Sequence, residues 1–210
     1  MANGTGQKRS IRILSNITMF SGIITATAIA TKIEKGKDSL RVSLPVPKKW
    51  KLQKGESINI DGICSTVEKI KGDIFSVFYM AETLRKTSLS SLGPNHIFNL
   101  ERSLTLQSLI GGHLVSGHVD TAASLSSIKP EGEAKVLVFK LPAKFTKYII
   151  YKGSICVNGV SLTVVHVDKN SFTVSLIPYT LSHTNLGELK PKDTVNVELD
   201  LIAKYLEKLA

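Results

Sequence analysis

Ser57-Ile58-Asn59-Ile60-Asp61-Gly62-Ile63-Cys64-Ser65-Thr66-Val67 returns 97 positions later as Ser154-Ile155-Cys156-Val157-Asn158-Gly159-Val160-Ser161-Leu162-Thr163-Val164. Each stretch alternates apolar and polar residues, as half-buried strands do. Each is broken at its centre by Asp-Gly or Asn-Gly, the strongest short-range signal for a tight hairpin. The same shift carries Phe75-Ser76-Val77 onto Phe172-Thr173-Val174 and Thr83-Leu84 onto Thr180-Leu181. It also carries Asn99-Leu100-Glu101 onto Asn196-Val197-Glu198. Nearer the start the shift is 95, because Ser21-Gly22 falls on Ser116-Gly117. Two residues are therefore inserted in the second copy, and the turn at Lys129-Pro130-Glu131-Gly132-Glu133 is the expected place. A repeat of this length is too long for a solenoid unit and suits a duplicated small domain.

Working outward, each copy holds about six short strands separated by Gly, Asp, Asn and Pro turns. That pattern predicts a closed or nearly closed β-barrel, which removes exposed sheet edges. The expected division is an extension over 1–18, barrels over 19–113 and 114–199, and a helix over 200–210. In that helix Leu201, Ile202, Tyr205, Leu206 and Leu209 share a face, and Asp200 stands where an N-cap belongs. The extension contains Lys8, Arg9 and Arg12 with no acid and no apolar core of signal-peptide type, and is expected to be disordered.

Composition narrows the function classes. Of 210 residues, 42% are hydrophobic, enough for packed cores, yet no apolar run reaches the ~20 residues of a membrane helix. The net charge is +10, but the lysines are scattered beside turns and aromatics are only 6%, which disfavours a basic-aromatic nucleic-acid face. Two cysteines, Cys64 and Cys156, argue against a disulfide framework and for a reducing compartment such as the cytoplasm. The chain has neither a zinc-like ligand cluster nor a phosphate-binding glycine loop.

Met19-Phe20-Ser21-Gly22-Ile23-Ile24, Gly111-Gly112-His113-Leu114-Val115-Ser116-Gly117-His118-Val119-Asp120 and Asn158-Gly159-Val160-Ser161-Leu162-Thr163-Val164 together resemble the riboflavin synthases. The likeness runs over residues 19–210. It implies an all-β fold of two tandem six-stranded Greek-key barrels with a C-terminal α-helix that joins a homotrimer. It also implies a dismutation of two 6,7-dimethyl-8-ribityllumazine molecules. One gives a four-carbon unit to the other, yielding riboflavin and 5-amino-6-ribitylamino-uracil. One substrate is oxidised as the other is reduced, so no cofactor and no metal is expected. Association with lumazine synthase is a further partner that the resemblance suggests.

The resemblance also places site residues. In the first copy these are Phe20, Gly22, Ile23 and Ile24, then Ser57, Cys64, Ser65 and Thr66. Phe78, Tyr79, Met80, Ala81, Glu82 and Thr83 follow, with Asn99. In the second copy they are Gly117, His118 and Val119, then Lys152, Ser161, Leu162 and Thr163. Ser175, Leu176, Ile177, Pro178, Tyr179 and Thr180 follow, with Asp200. Cys64, His118, Ser161 and Thr163 are the catalytic candidates. The residues alone leave Cys64 open between nucleophile, proton carrier and pocket lining. His118 is the proton-carrier candidate, histidine being the residue type suited to general acid–base work, and is expected to serve the second pocket. His113 reads as structural, and Lys54 as the mate of Lys152. Asp61 stands where the family usually has Asn, Ser65 where it usually has Leu, and Ser90 in the place of Gly187.

Three rival readings fit the sequence less well. A non-catalytic lumazine- or flavin-binding protein of the same fold would tend to lose one pocket, whereas both copies here keep the matched polar residues. A flavin reductase would need a nicotinamide domain for which the chain has no room. A nucleic-acid-binding barrel lacks its aromatics.

Overall fold

The computed structural model describes residues 18–93 and 95–209. All but the last residue of the 1–18 extension therefore lie outside the described residues. The first copy contains β1 (Ala26–Ile29), β2 (Lys32–Lys35), β3 (Ser39–Pro45), β4 (Ser57–Ile60), β5 (Ile63–Lys71), β6 (Ile74–Met80), a short helix α1 (Ala81–Lys86) and β7 (Ile97–Arg102). The second contains β8 (Thr121–Glu131), β9 (Ala134–Lys140), β10 (Ser154–Val157), β11 (Val160–Asp168), β12 (Ser171–Leu176), α2 (Pro178–His183) and β13 (Thr194–Leu199). Helix α3 (Leu201–Leu209) ends the chain.

The second copy is a closed six-stranded barrel in the order β10-β11-β12-β9-β8-β13, a Greek-key arrangement of sequential strands. The first copy is a seven-stranded sheet in the order β1-β7-β4-β5-β6-β3-β2. Its two ends are halves of one interrupted strand. The chain kinks at Ala30-Thr31, where Thr31 donates its N–H to the Ser43 carbonyl. The equivalent place in β8 carries only a register shift, between Leu125 and Ser127, and the strand continues through it. The first sheet is thus a curled counterpart of the closed barrel, opened at the point where its partner has a bulge.

Strand pairing also locates the insertion. Val42 pairs with Val77 and Leu137 with Val174, so the shift between copies is still 95 at β3 and β9. The extra residues therefore do not lie in the 129–133 turn. They lie between Lys140 and Ser154, a stretch that winds through a 3-10 turn at Ala143–Tyr148. A hairpin turn of fixed geometry tolerates no insertion without slipping register, whereas this longer connection absorbs two residues.

Inward-facing residues at period two fill each barrel. The first is packed with Val42, Leu44, Ile58, Phe75, Val77, Phe98 and Leu100. In the second, Phe139 stacks on Phe172 at 5.4 Å among Leu137, Val157, Val174 and Val197. The two hairpins turn through positive φ at both central residues, Asp61 (49°) and Gly62 (83°), Asn158 (45°) and Gly159 (80°). This is the type I′ geometry that Asp-Gly and Asn-Gly favour. The turns also abut: a Cβ on Gly62 would stand 3.0 Å from the Gly159 nitrogen, so this approach requires glycine.

A buried polar seam with two-fold pseudosymmetry joins the barrels. Asn99 Nδ2 donates to the Asn158 carbonyl at 2.9 Å, and Asn196 Nδ2 donates to the Asp61 carbonyl at 2.8 Å. Asn185 N–H donates to Asn99 Oδ1, and Ser88 N–H to Asn196 Oδ1, each at 2.7 Å. Asp61 fits the seam although its mate is Asn158. Its Oδ1 accepts from the Asn99 N–H and Asn185 Nδ2, and its Oδ2 is 2.6 Å from His96 Nε2. The departure at Asp61 is therefore satisfied by a histidine and bears on how the barrels dock.

Candidate functional site

On β5, Ile63, Ser65 and Val67 point inward while Cys64 and Thr66 point outward. On β11, Val160, Leu162 and Val164 point inward while Ser161 and Thr163 point outward. Cross-strand pairing sets Ser57 opposite Thr66 and Ser154 opposite Thr163. Each barrel thus presents a matched polar wall on its outer face, Ser57-Cys64-Thr66 and Ser154-Ser161-Thr163.

The leading segments of the two copies cross over to these walls. Gly22, which precedes the first barrel, accepts the Ser161 N–H at 2.8 Å, and Ile24 packs on the core of the second barrel. Gly117, which precedes the second barrel, accepts the Cys64 N–H at 2.8 Å, and Val119 packs on the core of the first. Phe20 and Val115 pair between them in a small buried cluster with Cys156. His118 therefore stands beside the first wall with Cys64, and not beside the second as its place in the sequence suggested. The second wall has a histidine that the sequence reading set aside as structural. His113 Nδ1 is 2.7 Å from Ser161 Oγ, and its buried Nε2 has no hydrogen-bond partner among the described residues. Its signal was the Gly-Gly-His motif, since a Cβ on Gly112 would stand 2.6 Å from that of Ser161.

Burial separates the other expected residues. Ser65 and Tyr79 are core residues joined at 2.8 Å through their oxygens, and burial pushes the Tyr79 phenol up. Leu162, Leu176 and Phe20 are buried, and Asn99 is spent on the seam. These six do not offer side chains to an outer pocket. The Ser65–Tyr79 bond brings the end of β6, and with it Phe78, Met80, Ala81, Glu82 and Thr83, to the Cys64 end of β5. Met80 is exposed, as are Ile177 and Tyr179 at the matching place in the second copy. There Ser175, Pro178 and Thr180 lead into and through α2, and Tyr179 stacks on His183 at 4.0 Å. Lys152 donates its backbone N–H to Val164 as Gly55 donates to Val67, so Gly55 and not Lys54 is its mate. Asp200 caps α3, its Oδ1 accepting the Ile202 N–H at 2.9 Å.

Electrostatics divides the roles. Burial pushes the Cys64 thiol up, which keeps it protonated at neutral pH and removes the basis for a thiolate nucleophile. Burial lowers His113 against the pull of Asp200, so its ring is neutral. A neutral imidazole donates at one nitrogen and accepts at the other. It can therefore move a proton between the Ser161 hydroxyl and whatever faces Nε2. A cavity of about 400 Å³ lies elsewhere, beside the seam, lined by His96, Asn185 and Asp193 among others. The two polar walls are open faces of the single chain.

A family model described as the lumazine binding domain matches residues 21–103 and again 116–200. Riboflavin synthase of Actinobacillus pleuropneumoniae is 39% identical over 191 residues, which is 90% of this chain and 89% of that protein. Riboflavin synthase of Schizosaccharomyces pombe is 37% identical over 91% of this chain and 93% of its own. Among solved structures, LumP complexed with riboflavin superposes with a TM-score of 0.79 at 28% identity, covering 86% of this chain and 98% of LumP. LumP with 6,7-dimethyl-8-(1'-D-ribityl) lumazine gives 0.77 at 26%, covering 85% and 98%. Two matched domains, both with an intact polar wall, and this identity across nearly the whole chain place it in the riboflavin synthase family.

Proposed function

We propose that this chain converts two molecules of 6,7-dimethyl-8-ribityllumazine into riboflavin and 5-amino-6-ribitylamino-uracil, each polar wall holding one lumazine. The observation that carries this reading is the preservation of both walls. A binding protein needs one lumazine; a dismutation needs two, held in register. Positioning two rings replaces a chance encounter and is worth up to ~7–11 kcal/mol of barrier. The reaction transfers C6, C7 and their methyl groups from one lumazine to the other. The two substrates together contain the atoms and electrons of the two products, so the reaction needs no external oxidant.

The chemistry starts at the acidic C7 methyl of one lumazine, whose carbanion spreads over the ring. Hydrogen-bond donors placed where that charge develops lower the barrier. Hydroxyls of Ser57, Thr66 and Thr163 and the Cys64 thiol supply such donors. Ser161 and His113 form the proton-moving pair of the second pocket, and His118 serves the first. The assembly is a homotrimer joined through α3, working in the cytoplasm, in which the first pocket of one chain faces the second pocket of its neighbour.

Adding the lumazine to purified protein and following riboflavin fluorescence tests the reading. Riboflavin is expected; tight binding of the lumazine with no riboflavin formed would mark a binding protein instead. Within that assay, Ser161→Ala is expected to lower kcat about a hundredfold, the scale of lost general acid–base catalysis, while KM stays nearly constant. The rate of the wild-type protein should fall on acidification only below about 6.5, the ordinary histidine value. The direction follows from His113: burial delays its protonation, and once protonated it can no longer accept a proton. A KM rise with unchanged kcat in Ser161→Ala would reduce Ser161 to a binding contact.

A further inference from the structure

Each Ser-Gly turn that crosses between barrels hangs from one buried glutamate. Glu101 accepts the Ser21 N–H at 2.7 Å, the Ser21 hydroxyl at 2.6 Å and the Gly22 N–H at 3.1 Å. Glu198 accepts the Ser116 N–H at 2.7 Å, the Ser116 hydroxyl at 2.6 Å and the Gly117 N–H at 2.8 Å. The two residues are only 3% and 2% exposed. Three charge-assisted bonds to one carboxylate are stronger and shorter than neutral ones, and they fix both the direction and the height of the turn.

Each glutamate stands on its own barrel, Glu101 on β7 and Glu198 on β13. The turn it holds leans on the other barrel. A Cβ on Gly117 would stand 2.7 Å from Cys64 Cβ, and one on Gly22 would stand 2.6 Å from Ser161 Cβ. Both glycines have positive φ, 77° and 76°, and no side chain of their own to anchor them. We propose that Glu101 and Glu198 are positioning residues that act crosswise: Glu198 sets the wall at Cys64, and Glu101 sets the wall at Ser161. A carboxylate in one barrel thus tunes the pocket of the other, coupling two pockets that share no residue. The proposal rests on the reading of these walls as the two substrate pockets.

Cys64 supplies a local probe, because it is partly exposed while Cys156 is buried. The experiment compares iodoacetamide alkylation of Cys64 in the full-length wild type, Glu198→Gln and Glu101→Gln. In Glu198→Gln the amide can accept on one oxygen only and turns its own N–H groups toward the donors. Cys64 is expected to react roughly tenfold faster, the scale of one lost hydrogen bond to a charged group. Glu101→Gln is expected to leave the Cys64 rate within about twofold, although it removes an equally buried charge. The Glu198 charge also raises the Cys64 thiol directly, so the glutamine pair is read together with Ser116→Ala and Ser21→Ala, which keep both carboxylates: of these two the first alone should speed the reaction. Equal acceleration by both members of a pair, or by neither, would overturn the crossed assignment. Because no lumazine enters this assay, its result is independent of whether the chain forms riboflavin.

Discussion

Co-refolding two inactive variants is expected to restore about a quarter of wild-type activity, the share of interfaces that pair two intact pockets in randomly mixed cyclic trimers. The first variant carries Cys64→Ala, Thr66→Val and His118→Ala; the second carries Ser161→Ala and Thr163→Val. The grouping follows the crossover, which sets His118 beside Cys64 through the Gly117–Cys64 bond. Each variant alone leaves every site with one broken wall and should be nearly inactive. Mixing gives some neighbours in which an intact first wall meets an intact second wall. Were the site built within one chain, each chain would still carry a broken wall and mixing would restore nothing.

Removing residues 201–210 is expected to yield monomers whose activity falls at least about a thousandfold, because the two lumazines are no longer held against each other. Helix α3 exposes Ile202, Tyr205, Leu206 and Leu209 on one face. Its polar side docks it to the second barrel. Lys204 Nζ lies 2.8 Å from Asp120, the Tyr148 hydroxyl donates to Glu207 at 3.0 Å, and Lys147 pairs with the same carboxylate. The single chain thus holds the helix in place and leaves its apolar face exposed, as a surface that joins subunits would be. Both barrels have cores of their own and should stay folded without it. Leu206→Glu should reproduce the effect in the full-length chain, and sedimentation checks both. A truncated chain that remains trimeric would show that another surface joins the subunits.

Much of the fold was legible because its signals are local. Asp61-Gly62 and Asn158-Gly159 announce hairpins through their backbone preferences, and the alternation around them announces strands. The same alternation could have excluded Ser65, Tyr79 and Leu162 from the pockets, since each lies one residue from an outward-facing position and so points inward. Asn99 needed the structure. Its amide is satisfied by Asn158 and Asn185, partners 59 and 86 positions away with no local signature. The crossover was illegible for the same reason. Ser21-Gly22 and Ser116-Gly117 align with one another, and alignment suggests that each serves its own copy. Only the bonds from Ser161 to Gly22 and from Cys64 to Gly117 show the exchange. His118 and His113 belong to these exchanged segments, so their neighbours, Cys64 and Ser161, cannot be read from the alignment of the copies.

The kink at Ala30-Thr31 was also hidden, because the matching stretch of β8 runs on through a bulge. Asp61 and Ser65 looked like defects of the first pocket. They are internal pairs, with His96 and Tyr79, that leave the outer wall of Cys64 and Thr66 untouched.

In the proposed reaction two lumazines are both reactants, one held by each wall. Its most direct test is a product balance. Purified protein is incubated anaerobically with 6,7-dimethyl-8-ribityllumazine as the sole organic reactant, and all three compounds are quantified. The expected result is one riboflavin and one 5-amino-6-ribitylamino-uracil for every two lumazines consumed, with no added oxidant or cofactor. Lumazine bound but not consumed, or riboflavin formed without an equal amount of the pyrimidine, would contradict it.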